Sequence, residues 1–322
     1  MDLTGSALLS GFASEVGTEA GDAVSCVGGR TQWDVGGAPQ EGAREVRPPA
    51  GVVAHEPGEM IVRVRAGTTL AELAHAVAEG GQLVTLESAD PARATVGGLL
   101  ACGRSGLRRL GRGPLRDSVL EVTAVTSRGD LIRAGAPLVK NVTGFDLCRL
   151  LVGSVGTLAF LAEAVLRCQP EPEVEAWWRS DPEAGVDPFA LYAGLYRPLA
   201  VLWDGASVWV GLAGRKVDVD AQARSSLPAG PFRPVEEPPA LPGSQRRSLP
   251  PGALKALPSS GLAPEWLAEV GVGLVHCSPA VAASMPAPAP SSGVVEIHRR
   301  LKERFDPSGR LNPGRSPLAA AS

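Results

Sequence analysis

Four glycine-rich stretches hold the residues whose types and spacing could do chemistry. The first runs Cys26-Val27-Gly28-Gly29-Arg30-Thr31-Gln32-Trp33, and the second runs from Thr95-Val96-Gly97-Gly98 to Gly103-Arg104-Ser105-Gly106. The third is Lys140-Asn141-Val142-Thr143-Gly144-Phe145-Asp146, and the fourth Gly153-Ser154-Val155-Gly156-Thr157-Leu158. A diphosphate is held by several backbone N–H groups turned to one side with no side chain blocking approach. Glycines at loop junctions supply such groups, and helix N-termini add a favourable dipole end. The hydroxyls of Thr31, Thr95 and Ser154 can donate to phosphate oxygens without crowding them. Any one stretch alone reads equally well as a turn. None has the strand-GxGxxG-helix or P-loop spacing, which argues against a nicotinamide Rossmann site and an ATPase.

Other reactive side chains are scattered. Five cysteines (Cys26, Cys102, Cys148, Cys168 and Cys277) form no CxxC pair and no metal-ligand spacing, so isolated thiols in a reducing cytoplasm are expected, and no metal site. Histidines 55, 75, 276 and 298 lie far apart, and each reads first as a surface or satisfied residue. Five arginines crowd residues 104 to 116. They suit a solvated loop, a contact with phosphate, or a docking site for an acidic partner subunit. No aromatic residues are interleaved with them and the net charge is −3, so nucleic acid is a poor partner.

The elements that must position these loops can be read from the same chain. Glycine (39) and proline (29) make up about a fifth of the 322 residues, against ~12% in average proteins. With 4% aromatic residues, that excludes a helix bundle and implies many turns. Met60 to Ala66 alternates as a half-buried strand, which Gly67 breaks. Thr69 and Glu72 form a capping box ahead of the stripe Leu70, Leu73, Ala74 and Val77. Gln82 to Leu86 reads as a short strand, Val119–Thr126 and Leu131–Arg133 as a hairpin across Ser127-Arg128-Gly129-Asp130, and Leu158–Cys168 as a strand. Trp177, Trp178, Trp203 and Trp209 read as core strand positions. The predicted class is α+β.

Three domains are expected: 1–170 with nearly every motif, a proline-laden cap-like domain at 171–290, and a C-terminal segment at 291–322 packing back on the first. That last segment combines a helical pattern (Val294, Ile297, Leu301, Phe305) with the turn string Phe305-Asp306-Pro307 to Asn312-Pro313-Gly314-Arg315. Met285 to Pro290 reads as an extended linker. The N-terminus lacks a secretory pattern and no stretch reaches the ~20 apolar residues of a membrane span. A cytoplasmic protein is expected, or one held peripherally at the inner membrane by its partners.

Taken together, Lys140-Asn141-Val142-Thr143-Gly144-Phe145-Asp146-Leu147 followed by Gly153-Ser154-Val155-Gly156-Thr157-Leu158 resembles the flavin-binding domain of the vanillyl-alcohol oxidase / p-cresol methylhydroxylase (PCMH-type) family. Within it, the resemblance is nearest to the FAD-binding subunits of bacterial glycolate oxidases. Val96-Gly97-Gly98, Gly106-Leu107-Arg108-Arg109, Leu115-Arg116-Asp117-Ser118-Val119 and the terminal turn string support that narrower match. The resemblance implies a two-subdomain α+β domain holding non-covalent FAD. It assigns Gly28, Gly29, Arg30, Thr31 and Gln32 to a first pyrophosphate loop. Thr95, Val96, Gly97, Gly98, Gly103 and Gly106 fall to a second, and Lys140, Asn141, Gly144, Asp146, Gly153, Ser154, Gly156 and Thr157 to the flavin side. Asp146 reads equally as a helix N-cap.

Oxidising a 2-hydroxy acid needs a cation for the carboxylate and a base for the hydroxyl proton. The family's His-x-Gly-Asp-Gly-Asn-like string is missing from this chain. The leading expectation is therefore the FAD-binding subunit of a glycolate (2-hydroxy acid) dehydrogenase. A second flavoprotein would bear the base, and an iron–sulfur subunit would carry electrons onward. The alternatives are a stand-alone FAD oxidoreductase with a diverged substrate domain and a non-catalytic structural subunit. A catalytic residue cannot be named from the sequence.

Overall fold

A computed structural model of the chain describes residues 3–18, 22–136, 146–227, 230–257, 265–285 and 289–321. Lys140, Asn141 and Gly144 lie outside the described residues. The chain divides into two compact units. The first takes residues 1–106, 114–171 and 289–320, and the second takes 107–113 and 172–288.

The first unit begins with α1 (Leu3–Val16), followed by β1 (Val24–Cys26), β2 (Arg44–Val46), β3 (Val52–Glu56) and β4 (Ile61–Arg65). Then come α2 (Leu70–Ala78), β5 (Gln82–Leu83) and α3 (Val96–Cys102). After the four-residue α4 (Arg109–Arg112) of the second unit, the chain returns through β6 (Val119–Val125), β7 (Leu131–Gly135), α5 (Leu147–Leu151), β8 (Phe160–Arg167) and β9 (Gln169–Pro170). Five strands make an antiparallel sheet in the order β3-β4-β8-β6-β7. Alternation in β4 turns Val62 and Val64 into a core shared with Leu70, Leu73 and Val77 of α2, Leu99 and Leu100 of α3, and Leu151 of α5. The opposite side of the same strands carries charge. Arg63 Nη1 donates to Glu121 at 3.0 Å and to Glu163 at 2.9 Å, and Arg133 pairs with Glu121 at 2.6 Å.

Local chemistry sets the element ends. The Thr69 hydroxyl accepts from the Glu72 amide while Glu72 accepts from the Thr69 amide at 2.9 Å, the reciprocal box anticipated from the sequence. The strand read at Gln82–Leu86 stops at Leu83: the next residue of its antiparallel partner, Cys168, gives its amide to Met60 O at 2.7 Å instead. Helix α1 packs Phe12, Ala13 and Val16 onto Val24, Val46, Val125, Phe160 and Leu311. The parallel pair β1–β2 is extended by the C-terminal segment: Val24 N donates to Arg310 O and Asn312 N to Val24 O, each at 2.8 Å.

The second unit is built on a seven-stranded antiparallel sheet. Its strands are β10 (Val174–Ser180), β11 (Ala200–Trp203), β12 (Val208–Gly214), β13 (Phe232–Val235), β14 (Gln245–Ser248), β15 (Trp266–Glu269) and β16 (Leu274–Cys277), ordered β13-β10-β12-β11-β15-β16-β14. Helices α6 (Pro188–Gly194), α7 (Lys216–Ser226) and α8 (Pro279–Ser284) flank it, and Trp177, Trp209 and Trp266 are buried. Within this unit Glu175 gathers two of the clustered arginines: Arg108 Nε donates to it at 2.8 Å and Arg112 Nη2 at 2.8 Å. Those two guanidiniums are structural here. Helix α9 (Ser292–Phe305) belongs to the first unit, and a short helix α10 (Pro317–Ala321) follows it.

Candidate functional site

Three of the four glycine stretches meet in the first unit. Two adjoining hollows, of about 480 and 420 Å³ including open solvent, share Cys26, Gly28, Thr95, Gly98, Ala101 and Asn312 in their walls. The first is completed by Gly29, Arg30, Thr31, Gln32 and Trp33. The second adds Gly97, Ser154, Gly156 and Phe160. Their sizes fall within the ~300–1,000 Å³ of small-molecule sites.

Close approach explains the glycines. A Cβ on Gly28 would stand 2.3 Å from Thr95 Oγ1, and one on Gly29 1.6 Å from the Arg93 carbonyl oxygen. The first loop can therefore lie on the start of α3 only with bare main chain at both positions. Thr95 caps that helix, its hydroxyl accepting from Gly98 N at 3.3 Å.

The other assigned residues serve the loops from behind, lining neither hollow. Gly103 closes α3 in the left-handed conformation, and its α-carbon side packs on Gly153. Val96 is fully buried, Gly106 sits against Glu87, and the Thr157 hydroxyl donates to Ser154 O at 2.8 Å. Asp146 is a helix N-cap: its carboxylate accepts from Arg149 N at 3.1 Å, so the capping alternative describes what it does here.

The C-terminal turn contributes residues that the sequence reading left without a role. Asn312 is buried and bridges two of the loops, its Oδ1 accepting from Cys26 N at 2.9 Å and its Nδ2 donating to Val155 O at 2.7 Å. Lys302 Nζ donates to Thr157 O at 2.9 Å, and buried Asp306 accepts from Lys302 and from the amides of Arg310 and Leu311. Arg315 lies over the Trp33 ring, 4.5 Å from its centroid, and Arg30 is also 4.7 Å from it. Three non-glycine residues in the left-handed region wall these hollows: Arg30 (φ 57°), Val155 (φ 47°) and Asn312 (φ 42°). A β-branched residue there is strained, and such strain is held where the surroundings over-determine it. The only sequence signal for this corner was the turn chemistry of Asn312-Pro313-Gly314.

Electrostatics favour an anion over a nucleophile. Burial pushes the Cys26 thiol up to about 12 and raises the Cys102 thiol as well, so neither is a thiolate at neutral pH. Burial also pulls the guanidiniums of Arg104 and Arg315 below their ordinary value. Gln32 Oε1, in the wall of the first hollow, is a buried acceptor with no hydrogen-bond partner among the described residues. Among the described residues, no histidine or carboxylate lines either hollow. The histidines lie elsewhere: His276 is buried against Glu269 at 2.7 Å and His55 meets Gln82 at 3.0 Å. A cradle of bare main chain, an unpartnered amide oxygen and nearby cations fit a bound dinucleotide diphosphate.

This scaffold and cleft define a dinucleotide-binding α+β protein of the flavoprotein kind. Comparison with known proteins agrees. A family model described as an FAD binding domain matches residues 14–135. Glycolate oxidase subunit GlcE of Escherichia coli (strain K12) is 32% identical over 305 aligned residues, covering 84% of this chain and 86% of that one. Glycolate oxidase subunit GlcD of Bacillus subtilis is 37% identical over 112 residues, 35% of this chain and 24% of that one. A solved structure of alkyldihydroxyacetonephosphate synthase shares the fold, with a TM-score of 0.63 and 14% identity over 95% of this chain and 73% of that one. The chain belongs to the FAD-binding PCMH-type flavoprotein family, and its cofactor is FAD. No helix among the described residues is long and apolar enough to cross a membrane.

Proposed function

We propose that this chain is the FAD-binding subunit of a complex that oxidises a small 2-hydroxy acid, glycolate in the first instance, with the flavin serving as a redox centre. The observation that carries the reading is the convergence of loops 28–33, 95–101 and 154–156 on one cleft. The similarity to GlcE along most of both chains supports it. Bound FAD supplies a two-electron acceptor. Gly28, Gly29, Thr31 and Thr95 would bind the diphosphate through main-chain N–H groups and small hydroxyls, Gly97 and Gly98, whose amides go to Ala66 O and Thr95 Oγ1, would leave it room, and Gln32 would offer an acceptor to the ribityl or ribose hydroxyls. Ser154 and Gly156 would form the flavin-side wall. The apolar Ala159, Phe160 and Leu161 keep water from that wall.

The attachment is non-covalent. Both cleft thiols are held protonated by burial, and among the described residues the cleft walls offer no imidazole. Among the described residues these walls hold no histidine or carboxylate to take a hydroxyl proton. That supports assigning substrate deprotonation to a second flavoprotein subunit, with an iron–sulfur subunit as the electron outlet. Purification of the chain with a flavin absorption band, no bleaching by glycolate alone, and bleaching once a partner flavoprotein is added would be the expected result. Bleaching by glycolate or lactate with no partner present would favour an autonomous oxidoreductase instead. A chain that takes up no FAD would overturn the proposal.

A further inference from the structure

We propose that Arg315 provides the counter-charge for the FAD diphosphate, using Trp33 as its platform. This rests on the FAD reading above and adds to it a charged residue from the far end of the chain. Main-chain N–H groups orient an anion but carry only partial charges, and a diphosphate brings about two full negative charges into a half-buried cleft.

The cations near the first hollow divide by partner. Arg30 is ion-paired with Glu45, and Arg104, which Asp34 and Cys102 also act on, lies outside the wall. Arg47 and Arg93 donate to the carbonyls of Gly28 and Gly29, each at 3.3 Å, and so brace the outside of the loop. Arg315 forms part of the wall itself. Its Nη2 donates to Trp33 O at 2.7 Å and its Nη1 to Val35 O at 3.1 Å, which fixes the plane of the guanidinium against the indole. Two neutral carbonyl acceptors hold that group without neutralising it. A rigid, partly desolvated guanidinium beside a glycine cradle is stabilised by an incoming anion, because the anion restores what hydration supplied. Its planar fork also suits phosphate oxygens better than an ammonium does. Asp34 lies close enough to act on Arg315 through space, so the site's net field includes one carboxylate that the ligand must outweigh.

The test uses the full-length chain and its Arg315→Gln and Arg315→Lys variants. Gln can still donate to the two carbonyls but carries no charge. FAD and ADP affinities are measured by titration at several salt concentrations, with circular dichroism melts to establish that each variant is folded. Arg315→Gln is expected to weaken both ligands at least tenfold and to flatten their salt dependence, with Arg315→Lys recovering part of the loss. FAD binding by the wild-type chain is expected to weaken as salt rises, a result that stands even if a variant misfolds. Wild-type affinity and unchanged salt dependence in Arg315→Gln would overturn the assignment and leave the FAD reading intact. A wild-type chain that binds neither FAD nor ADP would overturn both.

Discussion

Replacing Asn312 tests how the cleft is assembled. Its side chain makes two hydrogen bonds, to Cys26 N and Val155 O, each to a different glycine stretch. Leaving a buried N–H and a buried carbonyl unpaired costs about 1–3 kcal/mol each. Asn312 itself sits at φ 42°, where alanine costs about 1–2 kcal/mol. Asn312→Ala should therefore destabilise this corner by about 3–8 kcal/mol, and Asn312→Gly, which accepts the backbone angle, by about 1–2 kcal/mol less. Because the chain has two units, a single global unfolding curve would mix their transitions. Hydrogen exchange resolved to peptides spanning residues 24–30 and 153–157 is the suitable assay. A loss of 3 kcal/mol corresponds to roughly 100-fold faster exchange. Both peptides should speed up together, and FAD loading should fall with them. If only one peptide changed, or if alanine were milder than glycine, the bridging role would be refuted.

Gly29→Ala places a methyl group into the Arg93 carbonyl, so the purified protein should carry at least 100-fold less tightly bound flavin, read as the flavin-to-protein ratio after dialysis. Acid precipitation should release the yellow chromophore into the supernatant, and Cys26→Ser should leave flavin content unchanged. A coloured pellet would contradict dissociable binding. In the second unit, burial raises the Glu175 pKa, but hydrogen bonds and charge from Arg108, Trp177 and Arg112 outweigh it and leave the carboxyl below its ordinary value. A depressed folded pKa gives stability that is full above the unfolded value near 4.5 and is lost as pH falls through the lower folded one. Glu175→Gln should remove that acid sensitivity and cost about 2 kcal/mol at neutral pH, measured by urea titration across pH 3 to 7 and compared with wild type.

Much of the first unit was legible because its signals are local. The alternation of Ile61–Arg65, the capping box at Thr69 and Glu72, and the β6–β7 hairpin each lie within a dozen residues. Helix α1 carries Leu9, Phe12, Ala13 and Val16 at helical spacing, but its other residues, mostly small and uncharged, give no contrasting polar face to reveal it in the sequence. The three-residue strands β1 and β2 are too short to show a period. In the second unit the tryptophans marked β10, β11 and β12, while the proline-rich stretch obscured the other four strands, and the strand order follows from long-range pairing that adjacent residues do not encode. The site divides in the same way. Gly28 and Gly29 were legible because only glycine tolerates their neighbours, whereas nothing in the sequence around Cys26 announces that Asn312 is its partner.

Cys26 and Asn312 stand 286 positions apart, and the cavity wall is incomplete until they join. At about 5–20 residues polymerised per second, a ribosome needs roughly 15–60 s to pass from one to the other. Throughout that interval the glycine loop is exposed on a nascent polypeptide with no seat for a flavin. Cofactor capture thus waits for the turn that carries Asn312, and early folding must proceed without its help.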